Sequence, residues 1–422
     1  MKRKPILSLV SLILCFSLIL SLGMPAFAKE ETKTDYPFIY VHGMLGWGEG
    51  SPMEEDSPYW GIQPENNVMT YLRNQGYEVY NPPVGGLSSA WDRCCELYAQ
   101  LTGTVVDYGE AHSKKCGHER YGRDYTGKAT MGEPWDLESP LNLVGHSFGG
   151  ATVRLFASLI AYGDQEEIEA SGEDCSELFK GGHENAIHSV SAMSAPHNGS
   201  TVSNYMSDPI IPAAMIVMMI QASIVTGILK MDLMLDHWGI SADPNSGEKQ
   251  PKVSIAKSMK MAVSNDHCGY DMTVQGAEEL NKKIKTVKTA YYFSYTSCIT
   301  DTNDRGYTNI SKDTENVFLM FIPASIMISG SVNIFLGGKF IDKSWGPNDG
   351  IVPLKSALYP FNEDHVTYDE NRELQPGIWY VMPTLMGVDH YDFCTAAETG
   401  ELGTKEEFFK FYTDMMTRAN NA

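Results

Sequence analysis

Ser147 lies in a Gly-x-Ser-x-Gly pattern formed by Gly145, Ser147 and Gly149, directly after the apolar residues 141–144 and before a stretch of small side chains. A strand that enters such a turn and leaves it as a helix is the pattern of a nucleophile elbow. The turn lifts the serine hydroxyl clear of the sheet, so the flanking positions must be nearly free of side chains. An ordinary strand-to-helix turn is the alternative. The surrounding sequence favours a nucleophilic serine at position 147.

A serine hydroxyl is a weak nucleophile, so it needs a general base and an acid that orients the base. After a nucleophile elbow, these residues follow in the order Asp or Glu, then His. Asp349 lies in a loop rich in turn residues, and His390 lies in a loop just past an apolar strand. Asp349 could instead serve only an Asp-Gly turn, and His365 competes as base, although its polar neighbours indicate a solvated side chain. We predict Ser147, Asp349 and His390 as a catalytic triad for acyl transfer.

Acyl transfer also requires two backbone N–H groups that stabilise the oxyanion. The residue after the nucleophile, Phe148, should supply one. The loop after the first apolar strand contains His42, Gly43 and Met44 and should supply the other, from Met44. Since only the amides of these two residues are used, their side chains are expected to line an acyl pocket.

A second group of residues has the types that bind zinc. Asp92, His112, His118 and Asp236 offer two imidazoles and two carboxylates, which suit a closed tetrahedral site. The six-residue spacing of the histidines does not place both on one helix face, so they must converge from a loop. Cys116 lies between them and is a competing ligand. The spacing alone leaves metal binding open.

The N-terminus has the composition of a secretory signal. Three cations at positions 2–4 precede the apolar residues 5–24, and Ala26 and Ala28 form a small-x-small cleavage site. An uncleaved membrane anchor is the alternative, but the charged residues after Ala28 favour cleavage there, with no stable anchor afterwards. Removal of residues 1–28 would leave 394 of 422 residues and change the formal net charge from −21 to −24. Such an acidic chain is a poor partner for nucleic acid.

The cysteines do not define a disulfide framework. Of eight, Cys15 lies in the predicted signal, and the remaining seven are odd in number and scattered. We expect buried thiols.

Short strands alternate with helices along the chain, which predicts a mostly parallel sheet covered by helices on both faces. Without internal repeats or long linkers, residues 29–422 are expected to form a single domain. The predicted strands are 37–42, 78–80, 141–144, 188–193, 290–295 and 378–382, and the predicted helices are 68–74, 91–101, 151–161, 274–284 and 405–418.

The apolar, methionine-rich segment 210–235 is the exception to this alternation. Interrupting polar residues argue against a transmembrane helix. Two interpretations remain open: a buried core helix, or a mobile lid whose apolar face would contact a lipid–water interface when open.

Many separate motifs together resemble the secreted triacylglycerol lipases of Gram-positive bacteria, especially the zinc-containing Bacillus-type lipases and their staphylococcal relatives. The likeness runs from about residue 37 to His390. It rests on the segments 41–48, 87–93, 106–109, 181–183, 195–200, 270–271 with 276–278, 348–352 and 388–390.

The resemblance implies an α/β-hydrolase fold with the Ser147, Asp349 and His390 triad. It also implies a small zinc-bearing insertion at about 85–130, a helical lid region at about 200–240, and zinc on Asp92, His112, His118 and Asp236. Family members often have Gln or Met where this chain has Phe148, so the pocket rim is expected to differ. They also bind calcium near the catalytic histidine. Here Asp392 matches one ligand, while the second carboxylate position falls on Ala397, beside Glu398.

The sequence therefore predicts a secreted ester hydrolase that acts on acylglycerols and contacts lipid–water interfaces transiently. A carboxylesterase acting on soluble short-chain esters is one alternative. A catalytically silent lipid-binding protein with the same fold is another.

Overall fold

The computed structural model describes residues 33–206, 232–240, 255–303, 308–312, 314, 317–319, 321–396 and 400–422. The predicted signal at 1–28 lies outside this part of the chain. So does most of the apolar segment 210–235, on which the core-helix and lid alternatives depend. The strands are β1 (Phe38–Val41), β2 (Val79–Tyr80), β3 (Val105–Asp107), β4 (Tyr121–Asp124), β5 (Leu141–His146), β6 (Ile187–Met193), β7 (Tyr291–Tyr295), β8 (Ser297–Cys298), β9 (Thr300–Thr302), β10 (Thr308–Ile310), β11 (Ile334–Leu336), β12 (Lys339–Ile341), β13 (His365–Thr367), β14 (Trp379–Val381) and β15 (Leu385–Met386).

Helices connect and cover these strands, and five short 3₁₀ turns accompany them in the described residues. The α-helices are α1 (Val68–Asn74), α2 (Ala90–Thr102), α3 (Glu110–Cys116), α4 (Phe148–Tyr162), α5 (Gln165–Ser171), α6 (Glu177–Lys180), α7 (Thr201–Met206), α8 (Ile255–Val263), α9 (Cys268–Asp271), α10 (Val274–Lys283), α11 (Phe321–Gly330), α12 (Leu354–Leu358) and α13 (Lys405–Asn420).

Seven strands form the central sheet in the order β13-β14-β7-β6-β5-β1-β2. Every neighbouring pair in this sheet is parallel. Parallel strands need crossover connections, which here carry helices, so the predicted α/β architecture is confirmed. The carboxyl ends of β1, β5, β6 and β7 therefore meet along one edge of the sheet.

Both faces of the sheet are buried. Along β1, Ile39 and Val41 enter one apolar core, whereas Phe38 and Tyr40 enter a second core on the opposite face. All six residues of β5 are buried, as expected for a strand at the centre of a parallel sheet. This burial makes the middle of the sheet a rigid base for the loops that follow its strands.

All six predicted strands lie in the central sheet, but the edge strand β13 was not predicted. Its short His-Val-Thr sequence is exposed on two of three residues, so it lacks an apolar signal. His365 begins this strand and stacks on Tyr359 with ring centroids 3.5 Å apart. It is exposed, as its polar neighbours indicated. The seven cysteines after the predicted signal are all unpaired thiols, and six of them are buried.

Candidate functional site

The turn between β5 and α4 has the strained geometry of a nucleophile elbow. Ser147 has φ 55° and ψ −128°, a backbone conformation that residues other than glycine rarely adopt. A Cβ on Gly145 would lie 2.4 Å from the carbonyl carbon of Gly149, and one on Gly149 would lie 2.1 Å from the carbonyl oxygen of Val41. The two glycines are thus required by close backbone packing, which holds Ser147 at the sheet edge.

Asp349 and His390 form a buried pair. The Nδ1 of His390 lies 2.8 Å from Oδ2 of Asp349, and the two residues are only 4% and 1% exposed. The other carboxylate oxygen, Oδ1, accepts hydrogen bonds from the amides of Ile351 and Val352, at 3.0 and 2.8 Å. The His390 amide in turn donates to the Asp349 carbonyl at 2.9 Å. The carboxylate is therefore held so that one oxygen faces the imidazole.

Ser147 lies beside this pair. Its neighbour His146 is hydrogen-bonded through Nε2 to the His390 carbonyl at 2.9 Å, and the two imidazole rings are 4.9 Å apart. The ring of Phe321 stands edge-on to His390, with centroids 6.0 Å apart. The structure thus brings all three residues of the predicted triad to one edge of the sheet.

Hydrogen bonds of His42 fix the orientation of the Gly43–Met44 peptide in the turn after β1. The Val84 amide donates to Nε2 of His42 at 3.1 Å, and Nδ1 of His42 lies 2.8 Å from the Gly43 carbonyl. Burial and the charge of Arg93 lower the pKa of His42 to about 3, so the ring is neutral and its single proton is on Nδ1. The Gly43 carbonyl is therefore fixed. In a trans peptide, the Met44 N–H must point the opposite way.

The Phe148 amide opens α4, where helix amides have no acceptor in a preceding turn. Its side chain belongs to the apolar core of the described residues. Phe148 is fully buried in the core, and the guanidinium of Arg93 lies 5.0 Å from its ring centroid. Because residues 207–231 lie outside the described part of the chain, the expectation that Phe148 lines an acyl pocket stays a prediction. Met44 is half-buried and packs against the same core.

A cluster of two imidazoles and two carboxylates joins the predicted insertion at about 85–130 to the more distant Asp266. Nε2 of His112 is 3.1 Å from Asp92 Oδ1 and 3.3 Å from Asp266 Oδ1. Nε2 of His118 is 3.9 Å from Asp92 Oδ1 and 3.2 Å from Asp266 Oδ2. A tetrahedron with metal–ligand bonds of about 2.0–2.1 Å has edges of about 3.3–3.4 Å. These four separations are close to those of ligands around one metal ion, and two overlapping groups of described residues have ligand atoms within 4.8 Å of one another: His112, Cys116, His118 and Asp266, and Asp92, His118 and His237.

Local structure explains how the two histidines converge. His112 lies on α3, which ends at Gly117 with φ 85°, a left-handed conformation that reverses the chain and returns His118 toward the same point. Asp92 is in the first turn of α2, and its neighbour Trp91 stacks on His112 with centroids 5.2 Å apart. The six-residue spacing of His112 and His118 predicted that the two histidines converge from a loop, and this chain reversal at Gly117 brings them together.

The electrostatics of the cluster favour a bound cation. Burial opposes a charge on His112, yet Asp266 and Asp92 hold its pKa well above the ordinary value. Burial would also raise the pKa of Asp266, but His112 and His118 hold it well below the ordinary value. Within the described residues, the buried atoms His118 Nε2 and Asp266 Oδ2 make no hydrogen bond although they face each other. The residues present therefore fit a metal ion.

Asp236 does not belong to this cluster, which corrects the sequence-based set. Its Oδ2 accepts from Nε of Arg123 at 2.5 Å, and the same guanidinium binds Asp232. The neighbouring His237 instead reaches Asp92, with Nε2 3.1 Å from Oδ2. The two residues belong to a 3₁₀ turn, in which successive side chains point about 120° apart, so only one of them can face the cluster.

Asp266 was not predicted as a ligand. It lies in a polar loop between α8 and α9, and only its burial, 4% exposed, distinguishes it from a solvated loop aspartate. Cys116, the competing ligand, lies 3.9 Å from Nδ1 of His112, the ring nitrogen opposite the one that faces the carboxylates. The thiol also lies within 4.8 Å of ligand atoms of His112, His118 and Asp266, so Cys116 stays a competing ligand.

Asp392 accepts the Asp389 amide at 2.6 Å. The Asp389 carboxylate in turn accepts amides of Phe318, Tyr391 and Asp392 at 2.8, 2.7 and 3.1 Å. Among the described residues, Asp392 is in no group of side chains spaced for a metal ion. Residues 397 and 398 lie outside the described part, so the second predicted calcium position does too.

A family model described as the C-terminal domain of lipase-like proteins matches residues 34–420. The chain belongs to this family. The lipase of Staphylococcus hyicus is 36% identical over 368 residues, a match that covers 86% of this chain and 54% of that protein. Lipase 2 of Staphylococcus aureus is 34% identical over 394 residues, covering 92% and 54%. The chain therefore spans about half the length of these curated relatives.

Solved structures agree with this assignment. The crystal structure of Staphylococcus hyicus lipase superimposes with a TM-score of 0.78 at 33% identity, over 93% of this chain and 98% of that one. Lipase 1 of Pelosinus fermentans gives 0.70 at 31% identity, over 91% and 99%. The fold is the α/β-hydrolase type of these lipases. Among the described residues, no helix has the length and apolar character needed to cross a membrane.

Proposed function

We propose that this protein is a secreted triacylglycerol lipase that hydrolyses acylglycerol esters through an acyl-enzyme. The observation that carries this proposal is the buried Asp349–His390 pair, with Nδ1 and Oδ2 2.8 Å apart, beside Ser147 on its strained turn. The predicted signal at 1–28 supports export, and residues 29–422 would form the mature single-domain enzyme.

In the first half-reaction, His390 takes the proton of Ser147 as the hydroxyl attacks the ester carbonyl. Asp349 keeps the imidazole oriented and stabilises its positive charge. The amides of Met44 and Phe148 stabilise the negative charge on the carbonyl oxygen. His390 then donates its proton to the leaving alcohol, and water activated by the same imidazole hydrolyses the acyl-enzyme.

A lipid ester is favoured over a soluble ester by the surface next to His390. Phe318 stacks on Tyr391, the residue after His390, with centroids 5.6 Å apart. Phe318 and Leu319 are nevertheless 50% and 79% exposed. Apolar side chains left in water beside a catalytic residue suit contact with a lipid–water interface.

We also propose that the metal is zinc, bound by Asp92, His112, His118 and Asp266. Two imidazoles and two carboxylates are zinc ligands, and a set filled entirely by protein leaves no position for a reacting water. Zinc would then be structural, tying α2 and the chain around α3 to the loop before α9. His237 would orient the Asp92 carboxylate from outside the ligand set.

The test compares Ser147→Ala with the exposed-site control Ser344→Ala on emulsified tributyrin. We expect loss of hydrolysis in the first variant and unchanged hydrolysis in the second. Normal activity of Ser147→Ala would overturn the proposal, and an inactive wild type that binds the emulsion would indicate a silent lipid-binding protein. A rate that rises sharply above the solubility limit of a short-chain ester supports a lipase, whereas a smooth saturation curve indicates the carboxylesterase alternative.

A further inference from the structure

A buried tyrosine connects the turn after β1 with the strand that carries the nucleophile. The Gly43 amide donates to the Tyr59 hydroxyl oxygen at 2.9 Å. The same oxygen lies 2.7 Å from Nδ1 of His146, the residue that precedes Ser147. Tyr59 is only 2% exposed and is held between aromatic rings, in edge-on contact with Trp47 and Trp60. Its position is therefore well defined by packing.

His146 extends the connection to the catalytic histidine. Its Nε2 lies 2.9 Å from the His390 carbonyl, so one imidazole contacts both Tyr59 and the backbone of His390. The Tyr59 and His146 side chains thus connect three separate loops: the turn after β1, the nucleophile elbow at Ser147 and the loop of His390.

The direction of each hydrogen bond follows from the chemistry of the groups. Burial and the neighbouring His390 hold the pKa of His146 well below its ordinary value, so the ring is neutral and carries one N–H. A carbonyl can only accept, so the proton is on Nε2, facing His390. Nδ1 then accepts from the Tyr59 hydroxyl, whose oxygen accepts from the Gly43 amide. Burial raises the pKa of the Cys394 thiol, which lies 3.3 Å from the same nitrogen and adds only a weak second donor.

We propose that Tyr59 and His146 are positioning residues that hold the His42–Gly43 peptide, which directly precedes the Gly43–Met44 peptide, together with the Ser147 turn and the His390 loop, in register for the reaction. This inference rests on the proposed function. The oxyanion forms only in the transition state, so a loosened His42–Gly43 peptide, which displaces the adjoining Met44 amide, should lower kcat more than it changes KM. Neither side chain needs to touch the substrate for this effect.

Tyr59→Phe tests the first connection, because it removes only the hydroxyl. We expect kcat on soluble p-nitrophenyl butyrate to fall about 10- to 100-fold, with KM within about threefold. Tyr412→Phe is the matched control: this tyrosine is also fully buried, and its hydroxyl donates to the Phe393 carbonyl. The control should share any loss of thermal stability but keep its kcat.

Two substitutions separate the two bonds of His146. His146→Asn keeps an acceptor near Nδ1 and loses the donor to His390, whereas His146→Gln keeps a donor near Nε2 and loses the acceptor for Tyr59. Tyr59→Phe removes the bond from Gly43 in both backgrounds but the bond to His146 only in His146→Asn, so it should lower kcat less in His146→Gln than in His146→Asn. Additive losses in both backgrounds, or a kcat within twofold of wild type for folded Tyr59→Phe, would overturn the inference.

Labelling with a p-nitrophenyl phosphonate distinguishes this failure from failure of the proposed function. If wild type is not labelled at Ser147, the proposed function fails and the positioning role fails with it. If wild type is labelled and the folded Tyr59 and His146 variants are labelled at the same rate, only the positioning role fails. Labelling slowed in proportion to kcat supports both.

Discussion

Replacing Asp349 by asparagine should invert the tautomer of His390. The Oδ1 of Asp349 accepts two backbone amides, from Ile351 and Val352, so the asparagine carbonyl oxygen must occupy that position. Its NH₂ group then faces Nδ1 of His390, which must become an acceptor. The imidazole proton moves to Nε2, and the ring can no longer take the proton of Ser147.

The two side chains are nearly equal in volume, so the substitution changes the reaction more than the fold. We expect kcat on p-nitrophenyl butyrate to fall about 10³- to 10⁴-fold, which is about 4–5.5 kcal/mol of transition-state stabilisation. The melting temperature should change by only a few degrees. Stopped assays with concentrated enzyme would measure the residual rate.

Asp342→Asn is a suitable control. Asp342 also caps a short turn, through Ser344, and pairs with Lys355, but it lies away from His390. Its kcat should stay within twofold of wild type. If Asp349→Asn lost less than tenfold while remaining folded, His390 would not depend on this carboxylate for its tautomer and the reasoning would be refuted.

Three further predictions concern the metal, the elbow and pH. Asp266→Ala should lower both the melting temperature and the zinc content per chain, which elemental analysis measures. Asp236→Asn should retain the metal, because Asp236 pairs with Arg123. Equal metal loss in both variants would contradict the revised ligand set. Gly145→Ala should lower the free energy of unfolding, measured in urea, by about 1–3 kcal/mol or more, because its Cβ would lie 2.4 Å from Gly149. Gly330→Ala has open space around it and should leave this free energy nearly unchanged. Similar losses in both variants would count against the packing argument. Burial raises the pKa of Glu54 from 4.5 to about 7. The protonated carboxyl group therefore contributes to the free energy of unfolding below pH 4.5, and this contribution is lost as the pH rises to about 7. In Glu54→Gln, the free energy of unfolding should therefore vary less with pH between 4.5 and about 7 than in wild type. An unchanged pH dependence would disagree with the raised pKa.

The fold and the position of the elbow were predictable because their signals are local. Buried parallel strands such as β5 are short apolar runs, and the Ser147 turn needs glycines at fixed distances along the chain. The order Asp349 then His390 follows from the topology of the fold, so two residues far apart in sequence could be proposed together. The polar edge strand β13 carries neither signal.

The metal cluster shows where such reasoning stops. Asp236 and His237 are adjacent, and only the backbone of their 3₁₀ turn decides which side chain faces Asp92. Asp266 has the local sequence of an exposed loop, but it is buried against His112 and His118, which lie far from it in the sequence. The contact between Phe148 and Arg93 likewise joins residues that are far apart in the sequence.

The assignment of Ser147 as the nucleophile of a lipase is tested most directly by treating the wild-type protein with a p-nitrophenyl phosphonate and locating the adduct by peptide mass spectrometry. We predict one adduct per chain, on Ser147, that forms in parallel with the loss of tributyrin hydrolysis. An adduct on another residue, or full hydrolysis after complete labelling of Ser147, would contradict this account.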